Sequence, residues 1–257
     1  MPLPSVTNPL GTPFIELQSV DSTNNYALAR IHEGMAQHGT CFFAREQTAG
    51  KGQRGKFWAT ETDANLTISI VLKPDFLQSF QQFQLSAAVA VATQHFFSNY
   101  GGSQTKIKWP NDLYWKEKKA GGILIENIIR NQELGIGIWE WAVLGIGINI
   151  NQTTFPGNLP NPVSLKQITG QHFDTLQSAR DLCQSVDHFY KKLMSEGFDP
   201  ILEAYNQFLY KKNETVKLKK NTRSFETVIK GVSETGQLIT RHAIEERFDF
   251  GEIEWVK

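Results

Sequence analysis

A chain of 257 residues has room for one large domain and a small one, and 40% hydrophobic with 20% charged residues is the balance of a chain that buries a core. Twenty-six Lys and Arg offset twenty-six Asp and Glu, so the zero formal charge excludes any general attraction to nucleic acid or anionic membranes. Only two cysteines occur, Cys41 and Cys183, which excludes a disulfide framework and a CxxC zinc site and suits a reducing, cytoplasmic setting.

The opening MPLPSVTNPLG is proline-bearing and lacks the apolar core of a signal peptide, and no run of about 18 apolar residues follows that would span a membrane. Phe14 to Val20 reads as a strand. Asp21, Ser22 and Thr23 then offer N-cap oxygens to a helix carrying Tyr26, Leu28, Ala29 and Met35 at rough helical spacing. TCFFAREQ, residues 40–47, reads as a strand. ANLTISIVL, residues 64–72, alternates Leu66, Ile68, Ile70 and Leu72 with the period of a half-buried strand. Residues 80–102 form a long alanine-rich helix, apolar enough in its middle to lie buried against a sheet, that stops at Gly101-Gly102. From 105 to 150 the chain is mostly strand. Its short polar turns, 116–119 and 131–133, force antiparallel pairing and a mixed sheet. Two helices follow between 174 and 210, interrupted near Gly197 and Pro200. After Lys212 only short β segments with Gly turns remain, a barrel of about 45 residues that would lean on its neighbour. The expected boundaries are thus 1–211 and 212–257.

Four stretches can carry chemistry. QTAGKGQRGKFW, residues 47–58, sets glycines among Lys51, Arg54 and Lys56 directly after a strand. That pattern fits a mobile connection or a backbone cradle for an anion, with Trp58 anchoring the far end. It is not a Walker A loop, and a strand rather than a helix follows, so it is not a dinucleotide fingerprint. KIKWPNDLYW, residues 106–115, is a turn in which Lys108 and Asp112 flank Trp-Pro-Asn. The pattern fits a structural turn as well as a carboxylate–amine pair at a ligand. In KKAGGILIE, residues 118–126, glycines weaken a strand and mark a bulge or the close approach of another group. Lys119 at its mouth fits a ligand contact, though a basic hairpin turn is the commoner reading of the pattern alone. In LGIGININ, residues 144–151, Gly145 and Gly147 bare one strand face for a flat ligand or for packing by the alanine-rich helix, packing being the default. The six histidines show no ligand spacing, and no nucleophile motif is present, so positioning and charge stabilisation would carry any catalysis.

Taken in order, DSTN at 21–24, QTAGKGQRGKFW, KWPND at 108–112, KKAGGILIE and GIGINI at 145–150 resemble the biotin–protein ligases across most of the chain. The related lipoate–protein ligases are less similar at KWPND and GGILIE. The resemblance implies an α+β fold: a mixed, largely antiparallel sheet flanked by helices, like the class II synthetases, plus a small SH3-like β-barrel. It implies that ATP and Mg²⁺ activate biotin as biotinyl-5′-AMP, and that a lysine of a biotin carboxyl carrier domain then takes the biotin. Catalysis would fall to Lys119, Lys51 and Arg54. Biotin would be held by Ser22, Thr23, Asn24, Gln47, Gly50, Gly52, Gly121 and Gly122 with Lys119. The nucleotide would meet Lys51, Gln53, Arg54, Gly55, Trp58, Lys108, Asn111 and Asn149, and Asp112 would serve the metal. The commonest family loop reads Gly-Arg-Gly-Arg. Here Gln53 takes the place of the second arginine, and Arg54 is the candidate to supply its charge. Because the Asp-Ser-Thr motif begins by residue 21, the short form without an N-terminal DNA-binding domain is expected, acting as a monomer or homodimer without DNA or membrane partners. Lipoate ligation and a non-catalytic biotin or nucleotide sensor are the alternatives.

Overall fold

The computed structural model describes residues 8–130, 137–157, 159 and 161–256. Strand β1 (Phe14–Val20) enters helix α1 (Thr23–His32), which carries the chain over to β2 (Cys41–Gln47). Parallel neighbours need such a crossover, and β1–β2 is the parallel pair of the sheet. Then come β3 (Asn65–Leu72), α2 (Gln82–Gly101), β4 (Thr105–Lys108), β5 (Asp112–Trp115), β6 (Lys118–Arg130) and β7 (Ile138–Asn149). The result is a mixed, largely antiparallel seven-stranded sheet in the order β1-β2-β3-β7-β6-β5-β4. The expected turn at 131–133 lies outside the described residues.

Alternation along β3 and β7 assigns their side chains to two unlike faces. Leu66, Ile68, Ile70, Leu72, Leu144, Ile146 and Ile148 point into the main core, shared with the alanine and valine run of α2. Residues 87–92 of α2 are all buried because that helix lies between the sheet and α4 (Thr175–Glu196), which explains its missing polar side. The opposite face carries Thr67, Ser69, Val71, Val143, Gly145 and Gly147, and α1 covers part of it. All eight residues of β3 are therefore buried, which corrects the half-buried reading: alternation there separates an apolar interior from a polar one, not core from solvent.

The short helix α3 (Leu165–Thr169) precedes α4, and α5 (Asp199–Gln207) follows it. The expected interruption near Gly197 and Pro200 falls between α4 and α5, and Pro200 itself stands in the first turn of α5, where its missing N–H costs nothing. The residues beyond build a second, antiparallel sheet from β8 (Thr215–Lys220), β9 (Arg223–Val232), β10 (Leu238–Arg241), β11 (Glu245–Phe248) and β12 (Glu254–Trp255), in the order β11-β10-β9-β8-β12. Among the described residues β11 and β12 are its edges and are not paired with each other. Specific bonds fasten it to the preceding residues, from the β4–β5 turn and from α5. Trp109 Nε1 donates to Gly236 O at 2.9 Å, and the Asn206 amide spans Val232 N and O at 2.7 and 3.0 Å. No described helix is long and apolar enough to cross a membrane.

Candidate active site

The polar sheet face is organised by what its glycines leave out. A Cβ on Gly145 would collide with the Asn24 side-chain oxygen, and one on Gly147 would stand 2.6 Å from the Trp58 ring. The bare strip of β7 thus receives one side chain from α1 and one from the glycine loop. Packing by the alanine-rich helix, the default expectation, is overturned, since α2 lies on the other face.

Around Asn24 the buried polar groups are bonded to one another. The backbone N and Oγ1 of Thr23 donate to Gln47 Oε1 at 2.8 and 3.1 Å. Ser69 Oγ lies 2.6 Å from Asn24 Oδ1 and 2.8 Å from Thr23 Oγ1. Asn24 Nδ2 donates to Glu126 Oε2 at 2.7 Å and to Leu124 O at 3.3 Å. Ser22 occupies the N-cap position of α1 but makes no side-chain capping bond, and Asp21 instead accepts from Asn25. That bond, more than any charge, holds the Asp21 carboxyl below its usual range. This end of the site is lined mainly by neutral donors and acceptors, with the Glu126 carboxylate bonded to Asn24.

The glycine loop is a small folded hairpin rather than a slack connection. Lys51 pairs with Phe57, Gly52 N donates to Lys56 O at 2.7 Å, and Trp58 N donates to Gly50 O at 2.8 Å. The Gly52 amide is thereby spent within the loop. The adjoining cleft encloses about 480 Å³ between the loop, Leu124 and Glu126. At the tip, Gln53–Gly55 make a single 3-10 turn with Arg54 at φ 57°. The Arg54 guanidinium stands 4.6 Å over the Phe250 ring, and a Cβ on Gly251 would overlap it. Phe250 in turn meets Trp109 edge-on with ring centres 6.1 Å apart. Arg54, the candidate for replacing the missing loop arginine, is therefore engaged with the second sheet.

At the other end of the bare strip, Lys119 Nζ pairs with Asp112 Oδ1 at 2.7 Å, and both lie within 3.6 Å of where a Gly122 Cβ would stand. The Lys119 ammonium is also 5.9 Å from the Trp58 ring centre. Asp112 and Gly122 are register partners across β5 and β6, so the sheet itself brings this pair together. Gly121 serves strand approach: a Cβ there would stand 2.7 Å from Gly147 O. Asn111 donates to Ile123 O, and Asn149 donates to Val163 O at 3.2 Å, so both amides hold the walls of the site. Lys108 is paired in register with Asp112, but the Asp112 carboxylate goes to Lys119. The Lys108 ammonium lies 3.2 Å from Tyr114 Oη, 4.6 Å over the Tyr114 ring and 4.9 Å over the Trp255 ring. Burial, with the Asp112 and Glu117 charges behind it, keeps the Tyr114 phenol protonated well beyond its ordinary range.

The predicted residues Thr23, Asn24, Gln47, Gly50, Lys51, Trp58, Asp112, Lys119 and Gly122 thus gather on one face, with Ser22 beside them. The Biotin/lipoate A/B protein ligase family matches residues 16–149, just over half the chain, and spans all of these positions. The chain belongs to this family.

Within the family, the chain is 33% identical over 188 residues to the bifunctional ligase/repressor BirA of Bacillus spizizenii, covering 72% of this chain and 56% of that one. It is 30% identical over 233 residues to the biotin–[acetyl-CoA-carboxylase] ligase of Paracoccus denitrificans, covering 88% and 92%. The chain spans about half the length of the two Bacillus relatives it matches. Among solved structures, the biotin protein ligase of Aquifex aeolicus in complex with biotin and ATP superposes with a TM-score of 0.76 at 25% identity, covering 93% and 97%.

Sequence reasoning about this family member missed two residues of the site, Ser69 and Glu126. Ser69 sits in an apolar strand with Thr67, and two hydroxyls on one side of a run otherwise rich in Leu and Ile marked a second, polar interior. Glu126 ends the GGILIE motif at a sheet position facing the same side as Gly122 and Leu124, so its alternation was readable.

Proposed function

We propose that this chain is an ATP-dependent biotin–protein ligase, with residues 1–211 carrying the chemistry and 212–257 a second, smaller unit against which the loop rests. The observation that carries the reading is the bare strip of β7, bounded by the neutral Thr23–Gln47 pair at one end and the Lys119–Asp112 pair at the other. A ligand with an uncharged polar ring and a carboxylate tail fits that polarity.

In this reading Ser22, Thr23, Asn24 and Gln47 hold the ring, and Gly50, Gly52, Gly121 and Gly122 let backbone lie close along the ligand. Lys119 and Lys51 stand where negative charge collects as a biotin carboxylate oxygen attacks the α-phosphorus of ATP and pyrophosphate leaves. A positioned cation that neutralises developing charge in a site shielded from water contributes about 10²- to 10³-fold. In the second step a neutral lysine amine of a carrier domain attacks the acyl carbon of biotinyl-5′-AMP. The amide forms, AMP leaves, and the nitrogen releases a proton. Arg54, Gln53, Gly55, Trp58, Lys108, Asn111 and Asn149 are proposed on the nucleotide side, Arg54 reaching it by leaving Phe250.

Among the described residues no group of three or more His, Cys, Asp or Glu makes a metal site. Asp112 would serve as the protein ligand of a Mg²⁺ ion bound with the nucleotide phosphates, where the ion would screen phosphate charge. A cytoplasmic location is proposed from the sparse cysteine usage of the sequence.

Purified protein with ATP, radiolabelled biotin and a biotin carboxyl carrier domain should label the carrier lysine. Lys119→Ala should cut adenylate formation by about 10²- to 10³-fold with an unchanged circular dichroism spectrum. Exchange of pyrophosphate into ATP driven by lipoate and not by biotin would overturn the substrate assignment.

A further inference from the structure

The two oxygens of the Glu126 carboxylate have different tasks. Oε2 accepts from Asn24 Nδ2 at 2.7 Å, while Oε1 lies 3.7 Å from the Lys51 ammonium. The Asn24 amide cannot turn over without loss: its Oδ1 faces Ser69 Oγ at 2.6 Å, and its side chain fills the space left by Gly145. One side of the carboxylate is therefore fixed from within the sheet, and the other faces the loop across the cleft that both residues line.

We infer that Glu126 is a positioning residue that holds the loop cation Lys51 over the site and couples it to the Thr23–Asn24 turn; this rests on the ligase reading above. The Lys51 side chain is 41% exposed, and 3.7 Å is near the outer limit of an ion pair, so the contact restricts the lysine without trapping it. A free lysine side chain spreads over many rotamers. The carboxylate keeps its ammonium on the cleft side, from which a ligand carrying phosphate charge can take it over. Movement of the Thr23–Asn24 turn on binding a ring would pass through one hydrogen bond to Glu126 and one ion pair to Lys51. The two ends of the ligand are thereby sensed by one chain of contacts.

Glu126→Gln keeps the volume and an oxygen for Asn24 but removes the charge that faces Lys51. Two readouts serve: trypsin cleavage after Arg54 and Lys56 in ligand-free protein, and the release rate of biotinyl-5′-AMP. Both should rise by about two- to fivefold, the range of an exposed ion pair, with an unchanged melting temperature. Both effects should vanish when Glu126→Gln is made in a Lys51→Gln background. An equal effect in that background, or none in the single variant, would overturn the inference by showing that Glu126 acts through Asn24 alone or not at all. If cleavage responds as stated while no version of the protein forms the adenylate, the ligase reading fails and the Glu126–Lys51 coupling stands.

Discussion

The two faces of the seven-stranded sheet are built by opposite means. One is filled: Leu66, Ile68, Ile70, Leu144, Ile146 and Ile148 meet α2 and α4 in a continuous apolar core. The other is vacated: Gly145 and Gly147 stand where branched side chains would otherwise project, and Asn24 and Trp58 reach in from other elements. Both faces are buried on β3, so burial does not separate them; they differ in which contacts the strand supplies itself and which it imports. An imported contact can be exchanged for a ligand, whereas a self-supplied one cannot.

Substitutions that treat the faces differently test that division. On the filled face, Leu144→Ala should cost about 2–5 kcal/mol, read as a lower midpoint in urea. Biotin affinity of the protein that remains folded should stay within about twofold, because the Leu144 side chain projects into the opposite face of the sheet from the site. On the vacated face, Gly145→Ala forces Asn24 aside. The expected cost is about 1–3 kcal/mol of overpacking together with at least about a tenfold loss in biotin affinity by calorimetry. Lost stability with affinity intact would show that the vacated face is merely another packing surface. The smallest effect concerns His38, at the edge of the filled face. Its Nδ1 accepts from Lys73 N at 3.1 Å, its ring lies against Tyr190, and burial holds its pKa below the ordinary 6.5. The unfolded chain takes up that proton first, so this stabilisation is present above pH 6.5 and is lost as pH falls from there toward the depressed folded value. His38→Gln should flatten the acid side of the melting-temperature profile slightly while leaving biotin affinity unchanged.

Sequence reveals the filled face readily, because hydropathy records what a strand supplies. Phe14–Val20 and the two long strands of the glycine motifs were legible from alternation and turn residues. The small helix Leu165–Thr169 went unread, although Ser164 and Gln167 form a capping box in which each side chain meets the other's backbone N–H. The vacated face was legible only as a pair of odd glycines. Nothing in Gly145 or Gly147 says which group will arrive, since Asn24 and Trp58 come from elements remote in sequence. Lys108 shows the same limit. Its neighbour across the turn is Asp112, but the aromatic rings around it include Trp255, more than a hundred residues away.

Arg54 resting on Phe250 and Gly251 gives the loop a dependence on the order in which the chain is made. The ribosome emits the loop long before its resting place. A nascent chain can therefore assemble the seven-stranded sheet while the loop tip still has nothing to lie on, and reach its finished site only when residues 249–252 emerge. A chain cut short before residue 250 keeps the seven-stranded sheet but loses β12 and the support of the loop tip, so the order of the loop depends on residues far downstream of it.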